Sequence, residues 1–312
     1  MNSNRQSSEM TGPTAPEYGP SEELAAAELI RLAWDEDLGE QIQHGQPGDL
    51  TANSLIDQAA HGQVDIRSRN GGVVCGLPLV AQLFIDLDPL VQIQLHVNDG
   101  QRVDEPTCLA TLAGPVRSLL AGERTALNFL GYLSGIATQT DRHLATIANT
   151  NNIPQLLDTR KTLPGYRRLA KYAVACGGGT NHRMGLYDAV LIKDNHLASR
   201  GNPLEVASAI TAARAAVGND VTVQAEIDSL EQLAPALDAR PDILLLDNMT
   251  TEELVLAVTI RNKTAPDVLL EASGGINLES LAAVAATQVD RISVGALTHS
   301  VPNWDVAFDW VD

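Results

Sequence analysis

At 312 residues, with 44% hydrophobic side chains, the chain has material for one large domain or two moderate ones, and its formal net charge of −18 argues against nucleic-acid binding, which needs a basic face. No apolar run approaches about 18 residues, so no membrane span is expected. The N-terminus lacks the charged stretch and apolar core of a secretory signal. Cys75, Cys108 and Cys176 are odd in number and show no CxxC spacing, so neither a disulfide framework nor a zinc site is expected, and a reducing, cytoplasmic setting fits.

Residues 1–20, rich in Ser, Pro, Gly and Thr, read as a tail that cannot bury enough apolar surface to order itself. Ser21 reads as the cap of a first helix, with Glu22 and Glu23 in its first turn. EDLGEQIQHGQPGDLTAN is a loop. From Gly62 to Ala113, short strand-like runs separated by Asn-Gly, Asn-Asp-Gly and Pro turns indicate a small α+β unit, in which the alternation of LVQIQLHV predicts a half-buried strand. Pro115 to Asn149 reads as helices, with Gly131 and Gly135 marking a break. Arg124 lies there beside Glu123, and pattern alone makes it a surface charge.

After Ile153 the rhythm is strand–helix, with strands ending near 160, 194, 226, 247, 273 and 295. Such repetition gives parallel strands covered by helices. Six strands predict an incomplete β/α barrel, whose strand ends would share one rim. A doubly wound open sheet competes, although no GxGxxG follows the first strand.

The window Asp158 to His196 reverses the acidity of the chain, with seven cations against three carboxylates and three of the four lysines. Cations gathered this way mark a place where anions are handled. Arg167, Arg168 and Lys171 fall at helical spacing and read as a solvated basic face. Arg160, Lys161 and Lys193 end apolar runs and read as functional. Ser273-Gly274-Gly275 and Ser293-Val294-Gly295-Ala296 follow successive late strands, a usual setting for phosphate. Glu226 and Asp247 end adjacent strands, as partners for Lys161 or Lys193, or as holders of Mg²⁺ through substrate or water. His182 suits an anion-binding loop, and His196 a local hydrogen bond.

DTRKT, GGGTNHRMGLYDAVLIKDNH, AEID, LLLDNM, EASGGI and SVGAL together resemble the motif set of the quinolinate phosphoribosyltransferases, from about Trp34 to about Leu297. Residues 40–47 look inserted relative to that family. The resemblance implies an α/β chain divided into a tail (1–20), an N-terminal α/β sandwich domain with connecting helices (21–149) and an incomplete β/α barrel (150–312). It implies transfer of a phosphoribosyl group from phosphoribosyl diphosphate to quinolinate, with loss of the 2-carboxylate, giving nicotinate mononucleotide, diphosphate and CO₂. Arg124, Arg160, His182, Arg183 and Lys193 match residues around the dicarboxylate. Lys161, Glu226 and Asp247 match those around the donor and Mg²⁺. Ser273, Gly274 and Gly295 match the 5′-phosphate loops, with Thr159, Gly275, Val294 and Ala296 beside these positions. The arginine equivalent to Arg124 comes from a neighbouring subunit, so a homodimer is implied and a larger homo-oligomer stays open. Three rivals remain: a Schiff-base enzyme using Lys193, a small-anion binder without turnover, and a nicotinate phosphoribosyltransferase.

Overall fold

The computed structural model describes residues 16–39, 48–199 and 206–311. Most of the expected tail and the whole 40–47 insertion lie outside the described residues. Helix α1 (Pro20–Asp37) starts earlier than the sequence suggests: Gly19, not Ser21, is its cap. Pro20 explains the shift, because a proline at the first helical position has its φ already set and needs no N–H partner. Glu22 accepts a hydrogen bond from the Gly19 N–H at 3.3 Å. A short α2 (Leu50–Leu55) follows, capped by Asp49, which accepts from the N–H groups of Thr51 and Ala52.

The N-terminal unit is an antiparallel sheet. It contains β1 (His61–Ser68), β3 (Gln92–Leu95) and β5 (Cys108–Pro115), with α3 (Leu77–Leu87) connecting β2 (Gly72–Val73) to β3, and β4 (Arg102–Val103) pairing with β2. Strand β3 is an edge strand paired only with β5. Val91, Ile93 and Val97 face the core while Gln92, Gln94 and His96 are exposed, the alternation expected from LVQIQLHV, and Leu95 alone departs from it by being exposed.

Next comes α4 (Val116–Ile147), one unbroken helix of 32 residues. The expected break at Gly131 and Gly135 does not occur. A Cβ on Gly131 would meet the Trp304 carbonyl oxygen at 3.0 Å, and one on Gly135 would meet that of Pro302 at 2.4 Å. These glycines let the 302–304 segment lie against the helix, and Trp304 N–H donates to the Gly131 carbonyl at 2.9 Å.

Among the described residues the second unit has six parallel strands: β6 (Gln155–Leu157), β7 (Val190–Ile192), β8 (Val223–Ile227), β9 (Ile243–Asp247), β10 (Leu269–Ser273) and β11 (Arg291–Ser293). Helices α5 (Arg167–Cys176), α6 (Asp194–Ser199), α7 (Val206–Val217), α8 (Leu233–Asp238), α9 (Thr251–Thr264), α10 (Leu281–Ala286) and α11 (Ala296–His299) alternate with them. The order is β6-β11-β10-β9-β8-β7. Each strand from β7 onward pairs with its successor and the last returns to the first, which is the winding of a barrel and not of an open doubly wound sheet. The barrel is open between β6 and β7. Thr180 partly closes that gap: its N–H donates to the Leu156 carbonyl at 2.8 Å, and its carbonyl accepts from Asp158 N–H at 3.2 Å. Leu156, Ala225, Leu244, Leu246, Leu270 and Ile292 are buried between the strands and their covering helices.

The chain then crosses back. Strand β12 (Val306–Trp310) pairs antiparallel with β1, giving the first sheet the order β12-β1-β5-β3. The last residues of the expected barrel domain 150–312 therefore complete the N-terminal sheet and tie the two units together. Of the cysteines, Cys75 and Cys176 are buried and meet near Asp99, whose carboxylate accepts from the N–H groups of Gly76 and Leu77 and from the Tyr172 hydroxyl.

Candidate active site

Parallel pairing puts the C-terminal ends of all six strands on one rim, and a cleft of about 350 Å³ opens there. Adjacent strands set its floor and lip. Glu271 and Leu245 are register partners on β10 and β9, as are Ser273 and Asp247 two residues on. Side chains two apart on a strand share a face, so Leu245 and Glu271 form a lower layer and Asp247 and Ser273 an upper one. Leu191 and Ser293 add walls from β7 and β11.

Eleven of the expected residues line this cleft: Thr159, Arg160, Lys161, His182, Arg183, Lys193, Glu226, Asp247, Ser273, Gly274 and Gly275. Val294, Gly295 and Ala296 stand just behind its lining. Gly295 still matters, since a Cβ there would lie 3.0 Å from Lys161 Cδ. Gly274 is required twice over: its φ is +92°, and a Cβ would lie 2.2 Å from Asn248 Oδ1. Arg124 is exposed on α4 and is absent from the lining of its own chain's cleft.

The loop carrying His182 and Arg183 is held from below. Lys171 and Asp158 are both fully buried and form an ion pair. Lys171 Nζ also donates to the His182 carbonyl at 2.8 Å, and His182 N–H donates to Asp158 Oδ1 at 2.8 Å. The expected solvated face of Arg167, Arg168 and Lys171 is thus corrected. Lys171 is buried because a buried carboxylate at Asp158 requires a cation. Arg167 donates to Thr162 Oγ1 and to the Met184 and Arg160 carbonyls, clamping two site loops. Only Arg168 stays largely at the surface, 3.6 Å from Glu22. Burial pushes the Asp158 carboxyl up and the Lys171 ammonium down, and each charge opposes the shift of the other.

Two electrostatic neighbourhoods share the cleft. On one side Arg160 and Arg183 each bury an Nε–H without a partner, and among the described residues neither forms an ion pair with a carboxylate. Burial, and then the charge of Arg160, hold the Arg183 guanidinium below its ordinary range. On the other side Lys193 Nζ lies 3.1 Å from Glu226 Oε2. Burial raises the Glu226 carboxyl against Lys193, and the charges of Asp247 and Asp194 raise it further. The expected lysine–carboxylate pairing is therefore present. His196 Nδ1 accepts from the Lys193 N–H at 2.9 Å, the local role expected of it.

Leu191, Leu245 and Glu271 also line the cleft without having been singled out in the sequence, and Ser293, expected in a phosphate loop, and Asn248, at the end of β9, line it too. Glu271 had a signal, a lone carboxylate inside the apolar run VLLEAS. It is fully buried, with Oε2 accepting from Arg291 Nε at 3.0 Å and Oε1 facing His182 Nε2 off-axis at 3.2 Å. Burial raises the Glu271 carboxyl, but His182 and Arg291 outweigh it, and the net direction is down.

Such a rim, with cations, paired acids and glycine turns, has counterparts. Residues 49–134 match the N-terminal domain of quinolinate phosphoribosyl transferase, and residues 136–309 match its C-terminal domain. The chain belongs to the quinolinate phosphoribosyl transferase family. Among its relatives, a probable nicotinate-nucleotide pyrophosphorylase (carboxylating) of Bacillus subtilis is 42% identical, over 92% of this chain and 93% of that one. The nicotinate-nucleotide pyrophosphorylase (carboxylating) of Mycobacterium leprae is also 42% identical, over 91% and 97%. The solved nicotinate-nucleotide pyrophosphorylase of Francisella tularensis superposes with a TM-score of 0.84 at 38% identity, covering 93% of this chain and 97% of that one. The incomplete barrel and the N-terminal sheet are thus the architecture of the family. Among the described residues no helix is long and apolar enough to cross a membrane.

Proposed function

We infer that the cleft transfers a phosphoribosyl group from phosphoribosyl diphosphate to quinolinate and releases diphosphate and CO₂, leaving nicotinate mononucleotide for NAD biosynthesis. The observation that carries this reading is the pair Arg160 and Arg183, two cations lining the cleft whose buried Nε–H groups lack partners and which form no ion pair among the described residues. An ortho-dicarboxylate supplies two anionic groups, each able to take a bidentate contact from one guanidinium.

Across the cleft, Lys161 takes the charge that develops on the departing diphosphate. Glu226 and Asp247 hold ribose hydroxyls and offset the positive charge growing at the anomeric carbon. The turn Ser273-Gly274-Gly275 takes the 5′-phosphate, with the loop after Ser293 beside it. Thr159 accepts from the Lys161 N–H at 3.0 Å and so sets the lysine's backbone. Mg²⁺ suits the acidic side. Glu226 and Asp247 also border a neighbouring hollow lined by Asp194 and Asp228, four carboxylates in all, served by Lys193 as ion-pair partner at Glu226. When bound there through Glu226 and Asp247, the ion would neutralise diphosphate charge.

The exposed Arg124 on α4 serves the cleft of a neighbouring copy, which makes the working unit a homodimer or a larger homo-oligomer. The setting is cytoplasmic, and neither nucleic acid nor membrane is a partner. Lys193 does not suit a Schiff-base role: its ammonium is partly exposed and paired with Glu226, not enclosed by apolar or cationic groups. The test is an assay of purified protein with quinolinate, phosphoribosyl diphosphate and Mg²⁺, scored by CO₂ and mononucleotide together.

A further inference from the structure

His182 is held within the chain by three hydrogen bonds and one close charged neighbour. Its N–H donates to Asp158 Oδ1 and its carbonyl accepts from Lys171 Nζ, each at 2.8 Å. Its Nδ1 accepts from the Arg183 N–H at 2.8 Å. An acceptor nitrogen carries no proton, so the proton of the neutral ring sits on Nε2. That Nε2 faces Glu271 Oε1 at 3.2 Å. Nδ1 is thus taken and Nε2 lies off-axis beside a buried carboxylate, although His182 lines the cleft.

We propose that Glu271 is a positioning residue, and that the chain Arg291–Glu271–His182–Arg183 acts as a strut from the barrel wall to the carboxylate-binding side of the cleft. A carboxylate without exposure is costly in a barrel core, where a leucine would pack at less cost. Arg291 supplies its counter-charge from the neighbouring strand, since Glu271 and Arg291 are register partners. The other oxygen is then free to hold the ring in one tautomer. The ring in turn fixes the Arg183 backbone, whose side chain donates to the Ala189 carbonyl at 3.0 Å and leaves its Nε–H for substrate. His182 thus reaches the substrate through Arg183.

The inference rests on the dicarboxylate reading above, and its test is chosen to fail separately. Benzene-1,2-dicarboxylate, which carries both carboxylates but no ring nitrogen to react, is titrated calorimetrically into the full-length protein, and phosphoribosyl diphosphate is titrated separately. In Glu271→Gln the dicarboxylate Kd should rise about tenfold or more, the loss expected of one misplaced charged contact, while the Kd for phosphoribosyl diphosphate stays within about twofold. Combining Glu271→Gln with His182→Ala should weaken the dicarboxylate no further than the worse single change, because the two act in one chain of contacts. Equal weakening of both ligands, or additive losses, would overturn the strut. If the variants do not fold, ¹⁵N shifts of the wild-type imidazole decide: a protonated Nε2 and bare Nδ1 are expected, and a protonated Nδ1 overturns the proposal. A wild-type protein with the expected tautomer that never turns over quinolinate would defeat the functional reading and leave the strut standing.

Discussion

Lys193 Nζ and Glu226 Oε2 meet at 3.1 Å across the ends of neighbouring strands β7 and β8. The pair joins a cation from the basic window to an acid from the acidic side, yet it does not fully relieve Glu226. Burial raises that carboxyl, Lys193 opposes the rise, and Asp247 and Asp194 add to it.

A folded-state pKa above the unfolded value means that the folded chain binds more protons through that interval. Stability contributed by Glu226 is therefore present below its unfolded value and is lost as pH rises through the raised one. In EDTA at pH 7, Glu226→Gln should melt at or above the wild-type temperature, while in an assay with Mg²⁺ it should lose most turnover. The melting difference should shrink as pH falls toward the ordinary carboxylate range. A variant that melts well below wild type at pH 7 would show that the ion pair, and not the strain on the acid, dominates there.

Lys161 and Arg124 are both exposed but far apart in role. Each alanine variant alone should fold normally, since neither leaves a core cavity, and each should lose turnover by about two orders of magnitude or more. Mixed and re-associated, the two should regain part of the activity, because some composite sites then carry neither lesion. The check is activity after subunit exchange, with exchange verified by mass. Verified exchange without recovery would remove Arg124 from the neighbour's site.

The Asp158–Lys171 pair is structural first. Lys171→Met leaves a buried carboxylate without its cation, a change that costs about 3–5 kcal/mol for buried pairs. It also frees the His182 carbonyl. Adding Asp158→Leu should restore much of the melting temperature but not the affinity for dicarboxylate, since His182 N–H still lacks its acceptor. Recovery of both together would mean that the pair supports the fold alone.

The barrel was legible because its apolar runs are short, β-rich and each stopped by a polar or glycine residue. Eleven cleft residues were legible for the same reason, as strand ends, with the family motif supplying Arg183 and His182. Lys171 was misread because helical spacing places it beside Arg167 and Arg168, while its burial depends on Asp158, thirteen positions away in sequence. Glycines 131 and 135 look like helix breakers until the 302–304 segment is seen against them. The return of β12 to β1 is a pairing across most of the chain, and its short run VAFDW carries no sign of its partner. Local pattern records the element, and only tertiary contact decides its neighbour.

The central claim is that Arg160 and Arg183 are uncompensated so that a second carboxylate can be held. With one carboxylate bound, a cation in this cleft stays poorly paired, and a site built for polar contacts rejects the analogue that lacks them. Loss of two charged contacts at about 2 kcal/mol each predicts a preference for quinolinate over nicotinate on the order of a thousandfold in kcat/KM. The direct measurement is a competition between the two pyridines at limiting enzyme with phosphoribosyl diphosphate and Mg²⁺, scored by mononucleotide and CO₂. Mononucleotide drawn almost wholly from quinolinate, with one CO₂ released for each, is the predicted result; comparable use of nicotinate, with mononucleotide formed and no CO₂, would contradict it.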